Sequence, residues 1–118
     1  MLSENIVSRL TNILSTAKER EICGFLLTGS AGEQTYFGVF NLARLPWTFL
    51  VSHTDVERVA RFAKSHGMRI AAFIHSHNGS LDLSDDDRLA MCASGLPWIV
   101  VTLSEGKLRM RVYEHEAR

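Results

Sequence analysis

The stretch Arg69-Ile70-Ala71-Ala72-Phe73-Ile74-His75-Ser76-His77 decides how this chain folds. Its centre, Ile70 to Ile74, is apolar at every position. A strand with one wet face alternates apolar and polar residues, so an unbroken run suits a central strand covered on both faces. Helix signals flank it. On the upstream side, Thr54-Asp-Val-Glu57 has the pattern of a capping box, in which the Thr oxygen and the Glu carboxylate satisfy two backbone donors. Val56, Val59, Ala60 and Ala63 supply the stripe expected to be buried, and Gly67 the left-handed stop. Downstream, Ser84-Asp-Asp-Asp87 opens another helix, which Gly95 and Pro97 end.

Farther out, Ile6, Val7, Leu10, Ile13, Leu14 and Ala17 recur at helical spacing behind a capping Ser3. The opposite face of this first helix is mixed rather than basic, which favours packing on the domain's own sheet over a membrane surface. Ile22 to Thr28 reads as a strand, Gly29 to Gly32 as a turn, and Gln34 to Asn41 as the partner strand of a hairpin. A short strand is expected at Phe49 to Ser52. Trp98 to Leu103 and Leu108 to Tyr113 are two final strands turning at Glu105-Gly106. The order of elements predicts an α/β fold: a mixed β-sheet sandwiched by helices. With no repeat, linker or low-complexity tract, residues 1–118 read as a single domain.

Composition agrees. A chain of 118 residues and 13.2 kDa buries about two-thirds of its unfolded surface and needs no disulfide merely to fold. Thirteen Lys plus Arg balance thirteen Asp plus Glu, so the basic excess of a nucleic-acid binder is missing. The longest apolar stretch, around Leu96 to Val101, is far short of the roughly 20 residues that cross a bilayer. Met1-Leu-Ser-Glu-Asn shows no signal-peptide pattern, and Cys23 and Cys92 stand without a C-x-x-C. A cytoplasmic protein with two reduced thiols is the expectation.

The chemistry gathers at the end of the central strand. His75 and His77 are two apart, so both imidazoles point to one face with Cα atoms about 6.6 Å apart. Two ring nitrogens so placed can reach one cation at about 2.0–2.1 Å. Asp87 falls in the first turn of the following helix, which can return its carboxylate toward the same face. Two His and one carboxylate leave a fourth position for water, the arrangement of a catalytic zinc site. The same residues also fit a plain reading. An isolated H-x-H arises by chance, Ser-x-x-Asp is an ordinary cap with an acid favoured by the helix dipole, and Asp85 to Asp87 can be a solvated face.

The ordered set Glu21-Ile-Cys-Gly24-Phe-Leu-Leu, then His75-Ser-His77, then Ser84-x-x-Asp87 resembles the JAMM/MPN metalloprotease family. That family has a Glu on the first core strand, then H-[ST]-H, then S-x-x-D, on a JAB/MPN architecture related to cytidine deaminases. The resemblance covers nearly the whole chain. It implies Zn2+ held by His75, His77 and Asp87. It implies that Glu21 holds the metal's water as general base and then proton donor, and that Ser84 donates to the oxyanion. Gly24 would allow close backbone approach beside Glu21. Two positions depart from the family pattern. Asn78 stands where Pro is common, and the loop from His77 to Ser84 holds six residues rather than seven. A deletion there can rotate the helix start and present Asp86 or Asp85 instead, but the intact Ser-x-x-Asp spacing favours Asp87.

By the same resemblance, to small stand-alone prokaryotic members, the expected function is a zinc-dependent peptidase or isopeptidase. It would cut after the Gly-Gly tail of a ubiquitin-like or sulfur-carrier protein, with specificity in the segments Ala43 to His53 and Asn78 to Leu83. The alternative is a non-catalytic scaffold or partner-binding domain. A zinc deaminase is set aside, because H-x-E and P-C-x-x-C are missing. His53, His66 and His115 lack partners in sequence, and Cys23 reads as a core thiol on the face of Glu21. Lys107, Arg109 and Arg111 share a face that is solvated or meets an acidic partner. Trp47 and Trp98 read as core or interface residues.

Overall fold

Ser3 accepts the N–H of Ile6 and starts α1 (Glu4–Thr16), whose buried residues are Ile6 and Leu10. The fold is described from a computed structural model that covers residues 2–17, 21–39 and 51–114. β1 (Cys23–Gly29) and β2 (Gln34–Val39) form the expected hairpin. Phe40 and Asn41, the expected end of β2, lie outside the described residues, as do Phe49, Leu50, Trp47 and His115. Val51 and Ser52 are described and carry no strand. Ser52 instead caps α2 (His53–Ser65) by accepting the N–H of Asp55.

That cap corrects the expected start at Thr54. Ser52-His-Thr-Asp55 is itself a Ser-x-x-Asp, and it begins the helix two residues earlier. The buried stripe is corrected with it: Asp55, Val59 and Ala63 face inward, whereas Val56 is 38% exposed and Ala60 is exposed. Small residues on either side of a stripe leave its centre undetermined in sequence; contact with the sheet sets it. Gly67 has φ +64, as its stop role requires.

β3 (Met68–Ser76), α3 (Asp85–Ser94), β4 (Trp98–Ser104) and β5 (Lys107–Tyr113) complete the order. The sheet runs β2-β1-β3-β4-β5; β3 and β4 are parallel and the other neighbours antiparallel. This is the mixed α/β sheet expected from sequence. Side chains alternate between two cores. Phe25, Phe73, Trp98 and Val100 pack with Val59, Ala63 and Met91 of α2 and α3. Leu26, Ile74, Ile99 and Val101 pack with Ile6 and Leu10 of α1. Central β3 is therefore covered on both sides, which is why it reads as an unbroken apolar run. Among the described residues, no helix is long and apolar enough to cross a membrane.

Candidate metal centre

His75 lies fully buried at the end of β3, opposite Cys23 in β1 and Val100 in β4. Its ring meets Trp98 and His77 edge-on, each at 4.8 Å between centroids, and stacks near Phe73 at 5.8 Å. His77, one residue past the strand, is anchored through its N–H to the Val101 carbonyl at 2.9 Å. The two-residue period thus puts both imidazoles on the α2–α3 side, as the H-x-H spacing predicts.

Glu21 arrives from just before β1 and is 7% exposed. Two bonds hold its strand entry against the end of β3. The Ile22 N–H donates to Ser76 Oγ at 2.8 Å, and the Ser76 N–H donates to the Ile22 carbonyl at 3.0 Å. Glu21 Oε1 then lies 3.9 Å from His75 Nδ1. Donor atoms of Glu21, His75 and His77 all fall within 4.8 Å of one another, close enough for one cation.

Asp87 joins from α3. Ser84 and Asp87 form a reciprocal capping box: the Asp87 N–H donates to Ser84 Oγ at 3.0 Å and the Ser84 N–H to Asp87 Oδ2 at 3.1 Å. The same Oδ2 stands 3.0 Å from His77 Nε2. Asp87 is buried, whereas Asp85 and Asp86 are exposed, so the shortened loop presents Asp87 to His77.

The bond from Asp87 raises the pKa of His77 against its partial burial. Burial alone would raise Asp87, but the bonds from His77 and Ser84, with the charge of the two imidazoles, hold its carboxyl below its ordinary value. At Cys23, burial first, then the acids Glu21 and Asp55, push the thiol up to about 12. That is the behaviour of a core thiol. A cleft of about 920 Å³ opens beside these groups, with Glu21, His77 and Asp87 on its polar wall and Phe25, Phe73 and Trp98 on its apolar one.

Gly24 allows the close backbone approach expected of it, toward Phe37 of β2 rather than beside Glu21. A Cβ there would come within 2.6 Å of the Tyr36 ring and the Phe37 carbonyl, so its small size serves the packing of Tyr36, a residue of the α1-side core. His53 pairs with Glu57 at 3.0 Å on the surface, and the His66 ring sits 2.9 Å from the Phe62 carbonyl at the end of α2. Sequence reading missed Ser76. The signal was available: between two histidines facing one side, a polar residue must face the other and find a partner there.

The profile of prokaryotic homologs of the JAB domain matches residues 3–113. Among solved structures, the chain is similar to a solution structure of a Desulfitobacterium hafniense protein at 16% identity and a TM-score of 0.78. That likeness covers 93% of this chain and 80% of the other, and it concerns the fold. No curated protein matches the chain.

Proposed function

Because the chain belongs to the prokaryotic homologs of the JAB domain and gathers Glu21, His75 and His77 within 4.8 Å, we propose that it is a zinc-dependent peptidase or isopeptidase. The convergence of two imidazoles and a carboxylate, with Asp87 already bonded to His77, is the observation that carries this reading. Imidazole and carboxylate donors in this number suit Zn2+ with one position left open. His75, His77 and Asp87 would hold it. When bound, zinc polarises a carbonyl oxygen and makes water a nucleophile near neutral pH.

The remaining chemistry belongs to the chain. Glu21, nearly buried on the wall of the cleft, takes a proton from the attacking water and returns it to the leaving amine. Ser84 uses an oxygen lone pair for its cap, which leaves the hydroxyl proton to donate to the oxyanion on the scissile carbonyl. The substrates we propose are ubiquitin-like or sulfur-carrier proteins, cut after a C-terminal Gly-Gly. An extended tail laid along the sheet would bind through main-chain hydrogen bonds, and the Asn78 to Leu83 segment beside the cleft would add contacts.

Metal analysis by mass spectrometry, together with cleavage of Gly-Gly-tailed fusion proteins, tests this. The expected result is about one zinc per chain, lost in Asp87→Ala and His77→Ala. Glu21→Gln should keep the metal and lose turnover by at least about 100-fold. A wild-type protein that takes up no zinc on reconstitution would end the enzyme reading. Zinc without cleavage of any such fusion would point to a scaffold.

A further inference from the structure

We propose that Tyr113 and Arg111, at the end of β5, are positioning residues for Asp87, acting through the loop between His77 and Ser84. This rests on the reading of Asp87 as a metal ligand. The loop must carry the chain from the end of β3 to α3 so that Asp87 meets His77 at 3.0 Å. A small rotation of the helix start would instead present Asp86 or Asp85, both exposed. Something has to hold the register of this loop, and the β4–β5 hairpin grips it at Gly79, Leu81 and Asp82.

At the start of the loop, the Gly79 N–H donates to Thr102 Oγ1 of β4 at 3.3 Å. At its middle, the Tyr113 hydroxyl donates to the Leu81 carbonyl at 2.7 Å. Arg111 Nη1 donates both to Asp82 Oδ1 at 2.9 Å and to the Tyr113 oxygen at 3.3 Å. The donor and acceptor inventory closes. A carbonyl can only accept, so the single phenolic proton goes to Leu81, and the phenol's lone pair takes the guanidinium N–H. Donation into the phenolic oxygen polarises its O–H and strengthens the bond to Leu81.

The exposed Arg111–Asp82 ion pair contributes little to stability by itself; its value is directional. Tyr113 also lies opposite Trp98 in the β4–β5 register, and Trp98 packs on His75. One rung of the sheet therefore backs one proposed ligand and fixes the loop that delivers another. Of the three basic residues sharing a face of β5, Arg111 is accounted for by this contact.

The test uses Tyr113→Phe, with Asp82→Ala as a second variant, since Asp82 is 80% exposed and its loss does not threaten folding. Zinc affinity by chelator competition is read beside amide hydrogen exchange of the metal-free full-length protein. Tyr113→Phe should weaken zinc binding by about tenfold, the lower end of what losing the support of a ligand costs. It should speed exchange over residues 79–88 and leave β1 and β3 unchanged. Asp82→Ala, which removes the acceptor for Arg111, should move both readouts in the same direction. A purely structural role would instead speed exchange throughout the sheet, with unchanged zinc affinity per folded molecule. Wild-type affinity and unaltered exchange at 79–88 in Tyr113→Phe would overturn the proposal. If the wild-type protein binds no zinc, the peptidase reading fails, and the exchange pattern alone decides whether Tyr113 holds the loop.

Discussion

Between His77 and Asp87 a proton and a cation compete for the same lone pairs. In the metal-free protein the His77 pKa is raised, so its contribution to stability is full below its ordinary value of 6.5 and is lost as pH climbs through the raised one. The Asp87 pKa is lowered, so its contribution is full above 3.8 and is lost only as pH falls through a value below that. The pair therefore stabilises most between these limits. With chelator present, the stability lost in Asp87→Asn should be larger near about pH 5 than near about pH 9; a flat difference would remove the ion pair from the account. The two thiols differ in the same way. Cys23 is buried and held protonated, whereas Cys92 is exposed. Near neutral pH, a disulfide reagent should titrate Cys92 in the native protein and both thiols after denaturation. Rapid reaction of both in the native state would contradict the burial of Cys23. None of these shifts was legible in sequence, because each depends on groups brought close only by folding.

Among the elements, the helices show where local signals suffice and where they mislead. α3 starts at Ser84 and stops at Gly95, whose φ of +68 is the left-handed stop, as its sequence predicts. α2 carries two competing starts, Ser52-x-x-Asp55 and Thr54-x-x-Glu57, and the first is used. Starting there lets Asp55 turn inward in line with Val59 and Ala63, while Val56 lines the open cleft. Ser52→Ala should accordingly cost about 1 kcal/mol in urea denaturation, and Thr54→Ala a few tenths at most. The reverse order would restore the later start. For the strands, the two-residue period was enough to place His75 and His77 on one side. It did not reveal that Gly24 serves Tyr36, because that requirement comes from β2 and the opposite core.

For the whole molecule, the proposed zinc site links metal binding to folding. The proposed ligands come from the end of β3 and the start of α3, with Glu21 beside them at the entry to β1, so a cation held there stabilises the native state alone. Zinc at about 100 times its Kd should add about 2.7 kcal/mol to unfolding free energy, reversed by chelator and missing in His77→Ala. Thermal denaturation measures it, and an unchanged midpoint would mean that no such site forms. The element order, the double covering of β3, the shared face of the histidines and the likeness to a metalloprotease family were all legible in the chain before folding. Each of these is written in periods and spacings of a few residues, set by the geometry of helix and strand. Tertiary contacts settle the choice of Asp87, which the Ser-x-x-Asp spacing only favoured, and they alone show that Ser76 pins the entry of Glu21 and that Tyr113 and Arg111 reach the loop. Those outcomes join residues far apart along the chain: Ile22 and Ser76, whose bond carries Glu21 to the site, are separated by 54 positions. No local pattern spans such a distance, and the register of the packed sheet and the rotation of a helix upon it supply what is missing.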